Sequence, residues 1–392
     1  MFSSRSAHDP RKNALSQALD RMRSEGRAVI DLTTSNPTRA GIPYARDAIV
    51  GALADARALD YAPEPFGIAS ARAAIAEALL EDGHAVGPAR IMLTASTSEA
   101  YSFLFKLLCD PGDAVLVPAP SYPLFEHLAT FESVRLVPYA LAYDGGWHVD
   151  LPSVIRAIDE RTRAILVVSP NNPTGSYLKK DELAALAATG LPIVSDEVFA
   201  HYPLRDDPRR ATTALEAAGT ASLVFAMSGL SKRAALPQMK VAWTCIAGRD
   251  PSFVAEAIAR LELIADSFLS VSAPVQHALP LLLASGRTAE AAILARVRAN
   301  LARLRERQAR AGHAATILDC EGGWYATVRL PRTRAEESWA LDLLERDRVY
   351  VHPGHFFDFA DEAYFVVSLL TPESSFDEGI SRLLARVDEE TP

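Results

Sequence analysis

A chain of 392 residues, 49% hydrophobic and 23% charged, is long enough to bury a sizeable core and to form two domains. Its formal net charge of -9 argues against nucleic acid as a partner, because phosphate binding needs a basic face. Three cysteines (Cys109, Cys245, Cys320) without a CxxC pair argue against a disulfide framework or a zinc site, and fit a reducing, cytoplasmic compartment.

The opening MFSSRSAHDPRKN is polar, without the apolar core of a signal peptide. No uncharged apolar run reaches the ~18 residues of a spanning helix, so no membrane partner is expected. Ala14 to Met22 predicts a short helix. Asp31 to Tyr44, DLTTSNPTRAGIPY, carries Asn-Pro and Gly-Ile-Pro turn signals and reads as a loop, as do Tyr61-Ala62-Pro63 and Phe66-Gly67. Alanine-rich helical periodicity follows from Ala69 to Leu80. Strands and helices then alternate. Strands are expected at Ile91–Leu93, Ala114–Val117, Arg135–Pro138, Ala164–Val168, Ile193–Val194, Leu223–Met227 and Val241–Ile246, with helices at Ser98–Leu108 and Asp181–Ala188. Short apolar runs separated by helical patterns imply an α/β fold whose mostly parallel sheet is sandwiched by helices.

After Pro251 the pattern changes to two long helices, about Phe253–Leu269 and Thr288–Ala311. Beyond Thr316, strands at Tyr325–Arg329 and Phe365–Leu369 mix with helices and suggest a smaller α+β domain. The expected division is an N-terminal segment, 1–45, that joins the small domain, a large domain at 46–285 and a small C-terminal domain at 286–392. The acidic end Asp388-Glu389-Glu390 is expected to be a frayed, solvated terminus.

Chemistry gathers at the strand ends, where open α/β sheets bind their ligands. Lys232, in SGLSK, follows the strand Leu223–Met227, and a partly desolvated lysine there can attack an aldehyde as a free amine. Asp196 ends another strand, where it either pairs with a protonated ring nitrogen or serves as a cap or salt-bridge partner. Asn172, in NNPTG, can donate to a phenolate oxygen or simply make the turn. Ser96, Thr97 and Ser98 precede a helix and either form an anion site or N-cap it. Tyr122 either stacks on a flat ring or packs. His352 and His355, in HPGH, have ligand-like spacing, but the intervening turn and the lack of a third ligand leave no metal site expected.

The ordered set SPNNPTG, SDEVF and SGLSK, with a cation eight residues past the lysine, resembles the class I and II aminotransferases of fold type I, which are pyridoxal 5'-phosphate enzymes. The resemblance runs from Asn36 to Leu370. It implies that Lys232 holds the cofactor as an internal aldimine and shuttles the proton, that Asp196 pairs with the pyridine nitrogen and Asn172 with the ring oxygen, and that Tyr122 stacks on the ring. It further implies phosphate binding by Ser96, Thr97, Ser231 and Lys240. Tyr61 would come from the neighbouring subunit of a homodimer with shared sites, and Asn36 would lie over the substrate. The activity implied is transfer of an amino group from an amino acid or related amine to a 2-oxo acid, with β-elimination on the same fold as the alternative. A sensor with an appended DNA-binding domain fits poorly, because only some 30 residues precede the fold. A dinucleotide dehydrogenase fits poorly too, because no GxGxxG follows a strand.

The chain departs from that pattern at several positions. Phe199 stands where the family usually has a tyrosine, which removes a donor to the ring oxygen and is expected to raise the aldimine's pKa; Tyr202 is a possible substitute donor. Lys240 replaces the usual phosphate arginine and loses its bidentate fork, and Gly229 lacks a hydroxyl common in relatives. Val366 stands where an arginine usually clamps the substrate's α-carboxylate. Arg39 is the first candidate to take over that role; otherwise the substrate lacks a free carboxylate.

Overall fold

The computed structural model describes residues 2–7, 12–310, 312–361 and 363–391. Eight strands form the central sheet: β1 (Ile91–Thr94), β2 (Ala114–Ala119), β3 (Arg135–Tyr143), β4 (Trp147–Val149), β5 (Thr162–Val168), β6 (Ile193–Asp196), β7 (Val224–Gly229) and β8 (Ala242–Ala247). Their spatial order is β1-β8-β7-β6-β5-β2-β3-β4. The inner run from β7 through β6, β5 and β2 to β3 is parallel. β8 runs antiparallel to both neighbours, and β4 antiparallel to β3. The apolar runs of β5, β6 and β7 are continuous because both faces are covered: Leu166, Val194 and Phe225 join one core cluster, while Ile165, Ile193 and Val224 join another.

The covering helices include α1 (Ala14–Ser24), α2 (Ala69–Glu81), α3 (Thr97–Leu108), α4 (Lys180–Ala188), α5 (Pro251–Asp266), α6 (Ala273–Arg310), α7 (Glu336–Asp347) and α8 (Glu373–Glu389). A second, antiparallel sheet has the order β9-β10-β12-β11, from β9 (Thr316–Ile317), β10 (Tyr325–Arg329), β11 (His352–Pro353) and β12 (Tyr364–Ser368). The N-terminal segment pairs in a separate two-stranded parallel sheet, Ile30–Asp31 with Val349–Tyr350, just before β11 in the chain. One apolar cluster accordingly mixes Leu15, Met22 and Leu32 with Ile293 and Val297 of α6 and with Trp339, Phe365 and Leu383.

α6 differs most from the sequence expectation. It begins at Ala273 rather than near Thr288, and the expected boundary at 285/286 lies inside it. Ala311, the expected helix end, lies outside the described residues. Pro280 and Gly286 lower local helix propensity, but tertiary contact overrides them. Gly286 has a specific reason: a Cβ there would stand 2.4 Å from the Cβ of Ala234, so glycine lets α6 cross the chain just after Lys232. Gly286→Ala is expected to cost about 1–3 kcal/mol in denaturant unfolding through overpacking. An unchanged midpoint would show that the crossing is looser than this. α6 also contains an 18-residue window of mean hydropathy 1.3, enough by length and composition to cross a bilayer. Its Leu279 and Leu282, and farther along Ile293 and Val297, are spent on this chain's own core clusters.

The acidic C-terminal end is pinned rather than frayed. Asp388 accepts from the Ala314 N–H at 2.9 Å, and Glu390 pairs with Arg334 at 3.0 Å.

Candidate active site

The parallel strands end at a common edge, and a cleft of about 270 Å³ opens there. Asn172 reaches it from the turn after β5, Asp196 from the last position of β6, and Ser231 and Lys232 from the one-turn helix Leu230–Arg233 that follows β7. From the other side come Ser96, Thr97 and Ser98 at the start of α3, and Tyr122. Seven of the residues to which the family resemblance gives cofactor roles therefore line one cavity: Ser96, Thr97, Tyr122, Asn172, Asp196, Ser231 and Lys232.

Four others are not among its lining residues. Tyr61 is 88% exposed and does not line the cleft of its own chain. Lys240 is exposed, in a left-handed backbone conformation two residues before the lining residue Ala242. Asn36 caps the short helix Pro37–Arg39, its Oδ1 accepting from the N–H and hydroxyl of Thr38 at 3.0 and 2.7 Å. Arg39 is exposed. Their neighbour Ser35 does line the cleft.

Burial lowers the proton affinity of the Lys232 amine below the usual lysine range, against a smaller opposing pull from Asp196. The amine lies 5.1 Å from the Trp324 ring centroid and 5.5 Å from that of Phe199. No hydrogen bond to it is found among the described residues. Burial raises the proton affinity of Asp196, while the Val198 N–H (3.2 Å) and the Tyr101 hydroxyl (3.0 Å) donate to its two oxygens and hold it down. A buried carboxylate with only neutral donors and a buried amine poised to lose its proton form an unusual pair for a structural core.

Phe199 packs edge-on against Trp324 and Tyr325. The Tyr202 hydroxyl is spent on the Lys232 carbonyl at 2.5 Å. Gly229 has a packing reason: a Cβ would stand 2.9 Å from the Val241 carbonyl oxygen. Val366 is buried on β12, paired with Thr327 on one side and His352 on the other. Sequence reasoning missed Tyr101, Ser35 and Tyr325. Tyr101 lies one turn into α3, at an apolar position among apolar neighbours, so only the fold reveals its bond to Asp196.

Comparison with known proteins agrees with this geometry. The family model described as aminotransferase class I and II matches residues 27–383. An S-alkyl-thiohydroximate lyase of Arabidopsis thaliana, SUR1, is 30% identical over 247 residues, covering 61% of this chain and 52% of that protein. The glutamate-pyruvate aminotransferase AlaA of Haemophilus influenzae is 25% identical over 379 residues, covering 93% and 91%. A double mutant of Thermus thermophilus aspartate aminotransferase superposes with a TM-score of 0.83 at 27% identity, covering 98% of this chain and 99% of that one. Against several plant relatives, including SUR1, the chain spans only about half of their length.

Enzymes of this family use pyridoxal 5'-phosphate. The cleft's residues fit that group on their own chemistry. Asp196 is a buried acid suited to a ring N–H, and Lys232 is a desolvated amine suited to an aldehyde. The Asn172 side chain is buried at the cleft, and its amide N–H group is of the type that donates to a ring oxygen. The N–H groups of Thr97 and Ser98 at the start of α3 have no intrahelical acceptor, as an anion site requires. Sequence motifs, sheet order, cleft chemistry and the match over residues 27–383 converge: the chain belongs to the class I and II aminotransferase family.

Proposed function

We propose that this protein is a pyridoxal-phosphate-dependent aminotransferase that moves an amino group from an amino acid, or a related amine, to a 2-oxo acid. The observation that carries the reading is the half-buried, desolvated amine of Lys232, without a hydrogen-bond partner among the described residues, in one cleft with the buried carboxylate of Asp196. When bound, the cofactor supplies an electron sink for the carbon bearing the amino group.

The chain's own residues then divide the work. Lys232 Nζ would hold the group at its aldehyde carbon and would carry the proton to and from the substrate's α-carbon. Asp196 holds the ring N–H. Asn172 donates to the ring oxygen and Tyr122 covers the ring face. The first turn of α3 holds the phosphate with the hydroxyls of Ser96, Thr97 and Ser231 and the charge of Lys240. The exposure of Tyr61 supports its crossing to a partner subunit's phosphate, hence a homodimer with shared sites. Asn36 and Arg39, flanking the cleft at Ser35, serve the substrate, with Arg39 meeting a carboxylate. The core clusters support a division into 1–45, 46–285 and 286–392, with α6 as the shared spine. Three unpaired cysteines support a cytoplasmic location.

β-Elimination is the second reading, favoured by the similarity to the lyase SUR1. A single half-reaction separates the two. With donor alone, the aminotransferase converts its bound cofactor to the aminated form without releasing ammonia; a lyase releases ammonia and its cofactor spectrum recovers. Screening amino acids, amino-acid esters and amines shows what Val366 selects.

A further inference from the structure

Asp196 faces the cleft, but the next residue, Glu197, faces a different cavity. That cavity has a volume of about 290 Å³, opens to solvent, and shares no lining residue with the cleft. Successive residues of a strand point to opposite faces, so the two acids stand back to back at the end of β6.

Glu197 is 9% exposed and its backbone is pinned, its N–H donating to the Met227 carbonyl at 2.8 Å. Its Oε1 accepts from the Ser195 hydroxyl at 2.9 Å and the Ala214 N–H at 2.7 Å, and the Thr213 hydroxyl also donates to the carboxyl group. All three donors are neutral. Of the arginines around the cavity, Arg233 bonds Asp82 and His201 at 2.5 Å each, and Arg210 lies over the Tyr177 ring at 4.5 Å with one buried guanidinium nitrogen left without a hydrogen-bond partner among the described residues. His84 and the buried thiol of Cys245 complete the titratable lining. No ion pair to Glu197 is found among the described residues. An acid in that position keeps its proton to unusually high pH: burial pushes Glu197 up to about 7, its hydrogen bonds hold it back, and Asp196 adds a further upward push.

We propose that Glu197 is a positioning residue that acts on the cofactor through Asp196, its negative charge strengthening the hold of Asp196 on the ring nitrogen's proton. This rests on the cofactor reading above. Ionised Glu197 places a second negative charge one residue behind Asp196, which raises the proton affinity of every basic group in front of it. Protonating Glu197 removes that field. The solvent-open cavity gives the proton a route that bypasses the cleft, so the charge can change with substrate in place.

The test is a visible-absorbance pH titration of the cofactor-loaded protein, with cofactor retention checked by dialysis. Glu197→Gln is expected to lower the midpoint of the bound cofactor's band by on the order of one pH unit, because it removes a negative charge behind Asp196. Glu197→Asp should restore at least half of it. A midpoint unchanged in Glu197→Gln with cofactor retained overturns the proposal. Thr213→Val keeps the acid but removes one donor to its ionised form, and should move the neutral inflection upward; no movement again overturns it. Carboxyl infrared spectra of the cofactor-free protein separate the two readings. A band titrating near pH 7 and lost in Glu197→Gln supports the acid's part even where pyridoxal phosphate fails to bind, in which case the cofactor reading has failed; absence of that band overturns the proposal itself.

Discussion

Lys232→Ala lowers turnover with any amino donor by a factor on the order of 10⁴, because it removes the group that carries the proton between carbons. The same change leaves the fold intact: a buried lysine without a hydrogen-bonding partner contributes little to the core, and its aromatic neighbours Trp324 and Phe199 keep each other's contact at 5.3 Å. Lys232→Arg is no better than alanine, since a guanidinium stays charged at any working pH and offers no free electron pair. Added small primary amines should recover part of the alanine variant's rate, because they supply the missing base in the space vacated. The pH dependence has a definite sign. Burial lowers the amine's proton affinity, so the rate at which the cofactor-free protein captures pyridoxal phosphate rises with pH and levels off below the ordinary lysine value of 10.5. Stopped-flow absorbance checks both. A levelling point at or above 10.5 would show that the amine is not desolvated in solution.

Asp196→Asn is expected to reduce turnover by on the order of 10³, the scale of removing one preorganised charge from a water-poor site. The substitution preserves shape, and the amide can still accept from Tyr101 or Val198, which now hold it at 3.0 and 3.2 Å. What is lost is the negative charge that keeps the ring N–H protonated. The loss should therefore fall on kcat, with a smaller effect on cofactor retention, since the proposed phosphate site is the separate start of α3. Tyr101→Phe removes one donor to the same carboxylate and raises its proton affinity further, so it should show a shallower loss in the same direction. Equal losses in cofactor binding and in kcat for Asp196→Asn would mean that the acid is structural.

The architecture was legible from the spacing of short apolar runs, because buried parallel strands must be continuous in Val, Ile and Leu. The seven residues that share the cleft were legible because each sits at the end of such a run, where the fold collects loops. α6 was less so. Its first half contains Pro280 and Gly286, and the contact of Gly286 with Ala234 that rescues it is made 52 positions away. Tyr101 and Glu197 were hidden for a related reason. Tyr101 looks like any other apolar helix residue. Glu197 looks like an exposed charge after a strand, and only the layer of residues 210–214 over it makes it buried. Tyr61, Lys240, Asn36 and Arg39 are not among the residues that line the cleft, so no cavity contact in this chain bears on them.

The central claim is a covalent bond at one nitrogen. Incubating the purified protein with pyridoxal 5'-phosphate, reducing with borohydride and mapping the peptides by mass spectrometry should place one phosphopyridoxyl group on Lys232, with a visible band present before reduction. A protein that stays colourless with excess cofactor, or a label scattered over surface lysines with Lys232 unmodified, would contradict the account.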